Sequence, residues 1–499
     1  MPIKVTKIFA LLLITIFPLI ILLSNLKRFY YSCINANDFS IYQQAFYEIA
    51  AGVSWNPYIS IRNLHILSDH IDPAIYLAAL FVKIFGFNGY AIITFEWLWY
   101  VGVFAAIFFL GREFLFSALL IVFSRALLDG LEFPIHPTTW SMLPSLLLFY
   151  FIAQKKEAEN LWWILACAFS LCLFREIYPF MMIALGCFYC FKKAWKHTVG
   201  LWLIGLGFSF LYFVVRPKVL GPTIQYGQGV VHTLLSEHIF YFWRALTTAN
   251  IPLKNFVPLL FPLALILYWE RTKERQSWRT LLHHPITAAL FFISPMLLLH
   301  ILANYFVHHH TIPMVVPFLS IIIFSPLPLQ LRAHKRATIL ISIILFTFIF
   351  TSSSRYTKMV KVLASNVSQC EMSKEKKENL RAFQLFLKEK TQLYQGTENA
   401  ITTSGVVPPL LAPRMQLYQI TDVTKILPAF DYLIMEKKAA GDIYPLTWQE
   451  HQVIEEHCKK QASALLFENR HYLLLKGPIT DACLGIRKRW PLETALLPQ

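Results

Sequence analysis

Charged residues are scarce in this chain. Asp, Glu, Lys and Arg together make up 15% of its 499 residues, whereas 56% of the residues are hydrophobic. Apolar runs long enough to cross a bilayer recur along the first 353 residues. This composition excludes a soluble protein and predicts a polytopic α-helical membrane protein.

Other familiar signals are missing as well. No small-x-small cleavage site follows the apolar run 8–25, so we interpret this run as an uncleaved first transmembrane helix that starts in the cytoplasm. The eight cysteines show no Cys/His zinc-ligand spacing. Those at Cys167, Cys172, Cys187 and Cys190 lie inside apolar runs and are expected to pack as small hydrophobic side chains. No internal repeat and no soluble nucleotide-sugar motif is visible.

The few charges that are present are mainly basic. The chain has 45 Lys and Arg against 29 Asp and Glu, a formal net charge of +16. The basic residues lie mostly in short loops between apolar runs, which is typical of cytoplasmic loops, so we exclude nucleic-acid binding.

The apolar run 72–86 is short for a span. If it is a re-entrant or interfacial helix, five basic clusters face the cytoplasm, at Arg112, 155–156, 192–196, 271–279 and 332–336.

With all five basic clusters on the cytoplasmic side, the chain is predicted to have about eleven transmembrane helices plus the re-entrant helix. We expect the spans at 8–25, 90–110, 114–130, 138–153, 161–174, 177–191, 199–217, 253–269, 286–304, 311–329 and 337–353. Beyond 353, strand-like runs and a turn at Asn469 predict a small soluble α/β domain with a hairpin. The predicted domains are therefore a membrane domain over 1–353, with an external loop at 27–89, and a second domain over 354–499.

Polar and ionisable residues concentrate in the gaps on the external side. Ionisable groups at membrane depth are costly unless they face a partner or a wet cavity, so each is a candidate functional residue. Simpler interpretations exist: Asp38 can cap an amphipathic helix over 38–50, and Arg125 can pair with Asp129 four residues away. The candidates in these gaps are Asp38, Gln43, Asp69, His70, Asp72, Glu132, His136, Arg175, Glu176, His308, His309 and His310.

The segments that carry these residues resemble a bacterial and archaeal membrane family called domain of unknown function 2079. The matching segments are 37–45, 68–73, 132–137, 175–176 and 309–313. That family is in turn similar to the GT-C superfamily, multi-helix glycosyltransferases that take a sugar from a polyprenyl-phosphate carrier at the outer face of the membrane. In GT-C enzymes the first external loop carries an Asp near the end of helix 1, and Asp38 occupies that place. The superfamily's common acidic pair is absent, because Asn37 precedes Asp38.

The resemblance implies an inverting glycosyltransferase of the bacterial cytoplasmic membrane. The distribution of basic loops predicts that its N-terminus lies in the cytoplasm and its C-terminal domain in the periplasm. The expected partners are a polyprenyl-phosphate-linked sugar, a cell-envelope acceptor and membrane lipid. Displacing a lipid phosphate requires a base for the acceptor proton and positive charge for the leaving group. We assign catalysis to Asp38, Glu132 and His136; substrate binding to Gln43, Arg175, Glu176, His308, His309 and His310; and a divalent metal ion, if one is used, to Asp69, His70 and Asp72.

Two other functions stay open at this stage. A lipid flippase or transporter would also have many helices and buried charges, but it usually places its charges near the bilayer midplane and shows internal repeats. A non-catalytic assembly protein is not distinguished by fold resemblance alone. A shared active site requires the external residues to converge, whereas separate helix caps would point outward around the rim of the bundle.

Overall fold

The computed structural model describes residues 3–31, 34, 36–61, 64–111, 113–132, 135–154, 159–220, 253–274, 283–303, 308–325, 337–364, 373–402, 410–411, 414–419, 429–437, 448–480 and 484. The chain forms two compact units. The helical unit comprises Met1–Ile21, His70–Ala74 and Glu96–Met359, and the sheet unit comprises Leu22–Asp69, Ile75–Phe95 and Val360–Gln499. Most of the predicted external loop therefore belongs to the same unit as the C-terminal domain, a division that differs from the predicted boundary at 353.

Helices dominate both units. In chain order they are α1 Ile3–Tyr30, α2 Ala36–Ala50, α3 Ile66–Asp69, α4 Ile75–Phe85, α5 Gly89–Leu110, α6 Phe114–Val122, α7 Arg125–Glu132, α8 Pro137–Trp140, α9 Met142–Ala153, α10 Leu161–Cys172, α11 Tyr178–Phe191, α12 Trp195–Phe210, α13 Arg216–Leu220, α14 Leu253–Glu274, α15 Pro285–Ala303, α16 Ile312–Phe324, α17 Ala337–Leu363, α18 Lys374–Lys390 and α19 Trp448–Gln461. A π-helical turn at Leu211–Val215 joins α12 to α13, and His308–Thr311 forms a 3₁₀ turn before α16.

The predicted apolar helices are confirmed in position, but not all as unbroken spans. Within the described residues, three helices are long and apolar enough to cross a membrane, namely Gly89–Leu110, Trp195–Leu220 and Leu340–Leu363. The expected span 114–130 is bent by 50° between α6 and α7, and it would be a fourth. The number of about eleven spans stays a prediction.

Helix α4 agrees with the re-entrant interpretation of the run 72–86. It has 11 residues, so it is about 16 Å long at 1.5 Å per residue. The hydrocarbon core of a bilayer is about 30 Å thick. A helix of this length does not reach across it.

The sheet unit contains the predicted α/β domain. Its five-stranded sheet has the order β4-β3-β5-β7-β6, in which β3 is parallel to β4 and β5 while β7 is antiparallel to β5 and β6. The predicted hairpin is confirmed: Asn469 Oδ1 accepts the backbone N–H groups of His471 and Tyr472 at 2.9 and 2.8 Å. The strands are β1 Tyr58–Ile59, β2 Leu64–His65, β3 Asn399–Thr402, β4 Gln416–Gln419, β5 Phe430–Glu436, β6 Ala464–Glu468 and β7 Tyr472–Ile479.

Hydrogen bonds attach the first external segment to this sheet. Ser60 Oγ donates to the carbonyl oxygen of Leu417 in β4 at 2.8 Å, and Gln44 Nε2 of α2 contacts Ser60 Oγ at 3.1 Å. Helix α2 begins at Ala36, so Asp38 lies in its first turn. The expectation that Asp38 is the N-cap residue is therefore wrong, although an acidic residue in a first turn still stabilises a helix through its dipole.

The cysteines differ between the membrane helices and the C-terminal domain. Cys167, Cys172, Cys187 and Cys190 are free thiols, as expected for small apolar side chains. Cys458 of α19 is disulfide-bonded and buried. The interpretation of the cysteines as membrane hydrophobes therefore does not extend to Cys458.

Small residues allow two helices of the helical unit to approach closely. A Cβ atom added to Gly205 of α12 would lie 2.7 Å from the carbonyl oxygen of Pro179 and 2.6 Å from Ile183 Cγ1 in α11. Trp202 Nε1 donates across the same interface to the Ile183 carbonyl oxygen at 3.1 Å. Close approach at small residues is a common means of association between helices in membranes.

We predict that Gly205→Ala lowers the melting temperature of the purified protein, because the added methyl group meets backbone atoms that cannot move aside. Overpacking of this kind costs about 1–3 kcal/mol. The control is Gly207→Ala in the same helix, where nothing lies within 4 Å of the added Cβ. Differential scanning fluorimetry in detergent should show no loss for Gly207→Ala, and equal melting temperatures for both variants would contradict this account of the interface.

Candidate functional site

Three predicted site residues come into direct contact in the helical unit. His70 Nδ1 lies 3.0 Å from Glu176 Oε1, and Arg175 Nη2 lies 2.8 Å from His70 Nε2. Arg175 and Glu176 occupy the turn between α10 and α11, about a hundred residues along the chain from His70. We refer to these three residues as the His70 cluster.

The two nitrogens of the His70 ring have different partners. A guanidinium group can only donate, so His70 Nε2 must accept the hydrogen bond from Arg175. His70 Nδ1 then donates a hydrogen bond to the Glu176 carboxylate. The His70 ring lies between Arg175 on one side and Glu176 on the other and orients both side chains.

The charge of Glu176 follows from its neighbours. Burial by itself raises the pKa of this carboxyl group, but His70 and Arg175 outweigh burial and hold its pKa below the ordinary value. The side chain is 26% exposed. Glu176 is thus an anion that offsets part of the positive charge of Arg175.

Backbone contacts hold the cluster in place. The N–H of Ala74 donates to the Leu173 carbonyl oxygen at 3.0 Å, which joins the segment His70–Ala74 to the turn after α10. At the end of α10, the carbonyl oxygen of Cys172 accepts a hydrogen bond from Tyr212 Oη at 2.6 Å. The second contact attaches the π-helical turn 211–215 to the same place.

Arg216 follows that π-helical turn and interacts electrostatically with Glu176. It is only 6% exposed, and among the described residues its Nε, Nη1 and Nη2 atoms have no hydrogen-bonding partner. A desolvated guanidinium with no partner is costly. π-helical turns inside α-helices are frequent at functional sites. Arg216 is therefore a strong candidate to bind an anion.

A second group of rings lies close to the cluster. His310 is buried and stacks on His300 with ring centroids 4.6 Å apart. Burial lowers the pKa of His310 well below its ordinary value, and Arg175, His300, His136 and His70 lower it further. The lowered pKa disfavours a protonated His310, and the binding of phosphate by this residue stays a prediction. The side chains of His308 and His309 lie outside the described residues.

A strained turn positions His136. Ile135 has a φ angle of +78°, in the left-handed region that β-branched residues rarely adopt. Its N–H donates to Glu96 Oε2 at 2.7 Å, and the His136 N–H contacts Glu96 Oε1 at 3.4 Å. The buried Glu96 carboxyl group of α5 thus stabilises a conformation that the backbone alone would not favour.

Glu132 has a different environment from the one expected. Its Oε2 lies 2.5 Å from Arg355 Nη1, and its Oε1 lies 2.8 Å from Lys358 Nζ, both on α17. Asp129 bonds Arg125 Nε at 2.8 Å, as its spacing predicts, and also lies 2.5 Å from Arg355 Nε. Glu132 and Asp129 therefore form an ion-pair network between α7 and α17, which is a structural use of these carboxylates.

Metal binding by Asp69, His70 and Asp72 stays a prediction. No group of three or more His, Cys, Asp or Glu side chains is placed to hold a metal ion in the part of the chain that the structure describes. Both ring nitrogens of His70 are engaged by Glu176 and Arg175. Asp72 is buried, and the side chain of Asp69 lies outside the described residues. We assign no step to a metal ion.

The remaining predicted site residues belong to the sheet unit. Gln43 is 1% exposed and its Nε2 donates to Tyr47 Oη at 2.8 Å. Asp38 lies in the first turn of α2, and its side chain is not among those described. Its catalytic role stays a prediction.

The fold has solved counterparts. The crystal structure of ArnT from Cupriavidus metallidurans bound to undecaprenyl phosphate matches this chain with a TM-score of 0.53 at 10% sequence identity, covering 94% of this chain and 97% of that one. The apo form of the same protein matches with a TM-score of 0.51 at 11% identity, covering 94% and 98%. The chain has an ArnT-like fold. At this level of identity the likeness extends to the fold alone.

The sequence comparisons give no family. No family model and no curated protein matches the chain. The resemblance to the domain of unknown function 2079 family therefore stays a prediction.

Several residues of the site are missing from the sequence-based candidates. Arg216 lies at the end of the predicted span 199–217, and an ionisable residue in such a run is a usable signal. Glu96 carries the same signal inside the span 90–110. Arg355 carries no such sequence signal, because its partner Glu132 lies 223 positions away in the sequence.

We predict that Asp129→Asn strongly destabilises the protein. The Asp129 side chain is 1% exposed, so the change removes the buried counter-charge of Arg125 and one of the two carboxylates that pair with Arg355. Breaking a buried ion pair typically costs about 3–5 kcal/mol. The control is Glu378→Gln, whose side chain is 66% exposed and 3.7 Å from Lys374. Thermal unfolding in detergent should show a large decrease for Asp129→Asn only; a decrease no larger than that of the control would contradict the buried network.

Proposed function

We propose that this protein is a membrane glycosyltransferase that takes a sugar from a polyprenyl-phosphate carrier and transfers it to a cell-envelope acceptor. The observation that carries the proposal is Arg216, a buried guanidinium whose three nitrogens have no hydrogen-bonding partner among the described residues, next to the His70 cluster. The fold adds support, since 94% of the chain matches a protein crystallised with undecaprenyl phosphate.

The chemistry of the leaving group fits these residues. When the bond between the anomeric carbon and the carrier phosphate breaks, negative charge grows on the phosphate oxygens. Guanidinium groups bind phosphate through paired, charge-assisted hydrogen bonds, and preorganised donors stabilise such charge most effectively away from bulk water. In our proposal Arg216 and Arg175 supply these donors, while His70 and Glu176 keep Arg175 oriented.

The second half of the reaction requires a base. In the inverting mechanism the acceptor hydroxyl oxygen attacks the anomeric carbon as the carbon–phosphate oxygen bond breaks, and the hydroxyl proton passes to a carboxylate. We assign this role to Asp38 because the GT-C resemblance places a catalytic Asp there. Glu132 is used structurally by Arg355 and Lys358, so we propose no proton transfer for it. His136 remains a candidate catalytic residue.

We further propose that the protein resides in the bacterial cytoplasmic membrane with the C-terminal domain outside the cytoplasm. The alternation of basic loops supports this orientation. The disulfide bond of Cys458 supports it as well, because disulfides persist mainly in oxidising compartments outside the cytoplasm.

A transporter or lipid flippase is the second candidate. It is favoured by the 50° break between α6 and α7, since transporters often form their binding sites at broken helices. Both candidates bind a polyprenyl phosphate, but only a transferase consumes the sugar-bearing carrier. This difference separates them experimentally.

We predict that Arg216→Gln weakens the binding of undecaprenyl phosphate by about tenfold to a hundredfold, the loss expected for hydrogen bonds to a charged group. The measurement is a titration of the purified protein by native mass spectrometry. Lys218→Gln is the control, because Lys218 is an exposed residue of the same helix and its replacement by Gln removes the same single positive charge. Equal affinity of Arg216→Gln and wild type would contradict the phosphate role of Arg216.

Transfer itself is tested with Asp38→Asn in the same experimental series. Overexpression of the wild type should lower the cellular amount of sugar-bearing polyprenyl phosphate, measured in lipid extracts by mass spectrometry, and Asp38→Asn should not lower it while still binding undecaprenyl phosphate. A flippase would leave this total amount unchanged in both strains. That outcome would reject the glycosyltransferase proposal in favour of translocation.

A further inference from the structure

The sheet unit contains a cavity that is separate from the phosphate site proposed above, although the predicted substrate-binding residue Gln43 lines it. Its volume is about 440 Å³, and it is lined by the end of α1, by α2, by the residues before and at the start of α5, and by α18. This volume lies within the range of about 300–1,000 Å³ that small-molecule sites occupy. None of its lining residues belongs to the His70 cluster or to the arginine network of α7 and α17.

The cavity carries positive charge. Lys377 and Arg381 line it, and they lie four residues apart on α18, which places them on the same helix face. Lys377 Nζ lies 3.6 Å from the centre of the Tyr30 ring, a cation–π contact that holds the ammonium group at the wall. None of the described lining residues is acidic. The charge of this cavity therefore favours an anion.

The neighbouring acidic residues of α18 do not cancel this charge. Glu375 pairs with Arg470 at 2.6 Å, and Glu378 lies 3.7 Å from Lys374. Both carboxylates thus already have basic partners other than Lys377 and Arg381. The two basic side chains of the cavity keep their net positive charge.

The rest of the wall is aromatic and lies at the ends of apolar helices. Tyr30 is the last residue of α1, Tyr90 lies in the first turn of α5, and Phe87 precedes α5. Tyrosine and other aromatic residues at the ends of membrane helices are typical of the membrane–water interface. Phe85 and Phe87 next to the cavity are 62% and 45% exposed, as expected for side chains that meet lipid.

A polar side chain stands between the charged and the aromatic parts of the wall. Asn88 Oδ1 accepts the N–H of Ala91 at 2.9 Å and so caps α5. With its oxygen used in this way, Asn88 presents its amide nitrogen, a donor, to a ligand. A donor beside two basic groups is again suited to an anionic ligand.

We propose that this cavity binds the anionic, phosphate-bearing head group of a membrane lipid. Lys377 and Arg381 bind the phosphate, and Tyr30, Phe87 and Tyr90 contact the apolar part of the molecule that continues into the bilayer. Inorganic phosphate would make no use of the aromatic wall, so the observations favour a lipid. The proposal does not depend on glycosyl transfer, because the site requires no reaction.

The test measures binding of dioleoylphosphatidylglycerol to the purified full-length protein by native mass spectrometry, with dioleoylphosphatidylcholine as the uncharged comparison. The variant Lys377→Gln/Arg381→Gln should bind phosphatidylglycerol at least tenfold more weakly than the wild type. The control Lys388→Gln/Lys390→Gln removes the same charge from exposed positions at the end of α18 and should bind like the wild type. Melting temperatures of all variants identify any loss of folding.

Phe87→Ala supplies a second measurement that does not alter charge. It should weaken phosphatidylglycerol binding and lower the melting temperature only slightly, since Phe87 is 45% exposed. The proposal is overturned if Lys377→Gln/Arg381→Gln retains wild-type affinity, if both double variants lose affinity equally, or if phosphatidylcholine binds as tightly as phosphatidylglycerol. Displacement of the lipid by millimolar inorganic phosphate, together with wild-type affinity in Phe87→Ala, would overturn the lipid assignment in favour of a free anion.

Discussion

The cost of keeping guanidinium groups away from water governs the polar part of the helical unit. Arg125 and Arg355 meet this cost with Asp129 and Glu132, at distances of 2.5–2.8 Å. Arg175 meets it with His70 and Glu176. Arg216 is equally buried, but among the described residues none of its guanidinium nitrogens has a hydrogen-bonding partner. Arginines whose charge is balanced by protein carboxylates stabilise the fold, whereas Arg216, whose charge is not balanced in this way, is suited to bind a substrate anion.

The local backbone explains why the charged groups are held so firmly. The turn between α10 and α11 presents Arg175 and Glu176, and the Leu173 and Cys172 carbonyl oxygens in the same turn bind Ala74 and Tyr212. Two distant segments of the chain are thereby fixed next to one short turn. Rigid supporting contacts of this kind keep donors in place without rearrangement when charge develops on a substrate.

The sequence predicted the features that depend on local spacing. The Arg125–Asp129 pair, the hairpin at Asn469 and the apolar helices follow from periods of a few residues. The partners of Glu132 lie more than two hundred positions away, and no local pattern could indicate them. The lowered pKa of His310 was missed for a similar reason, because it depends on burial and on side chains from other segments. The helix start at Ala36 rather than Asp38 is an ordinary boundary error of one turn.

The most direct test of the central claim is a cryo-electron microscopy structure of the wild-type protein with undecaprenyl phosphate. The account predicts that the phosphate oxygens lie about 2.7–2.9 Å from guanidinium nitrogens of Arg216 and Arg175, the usual length of a charge-assisted hydrogen bond. A phosphate bound elsewhere on the protein, with Arg216 still lacking a hydrogen-bonding partner, would contradict it.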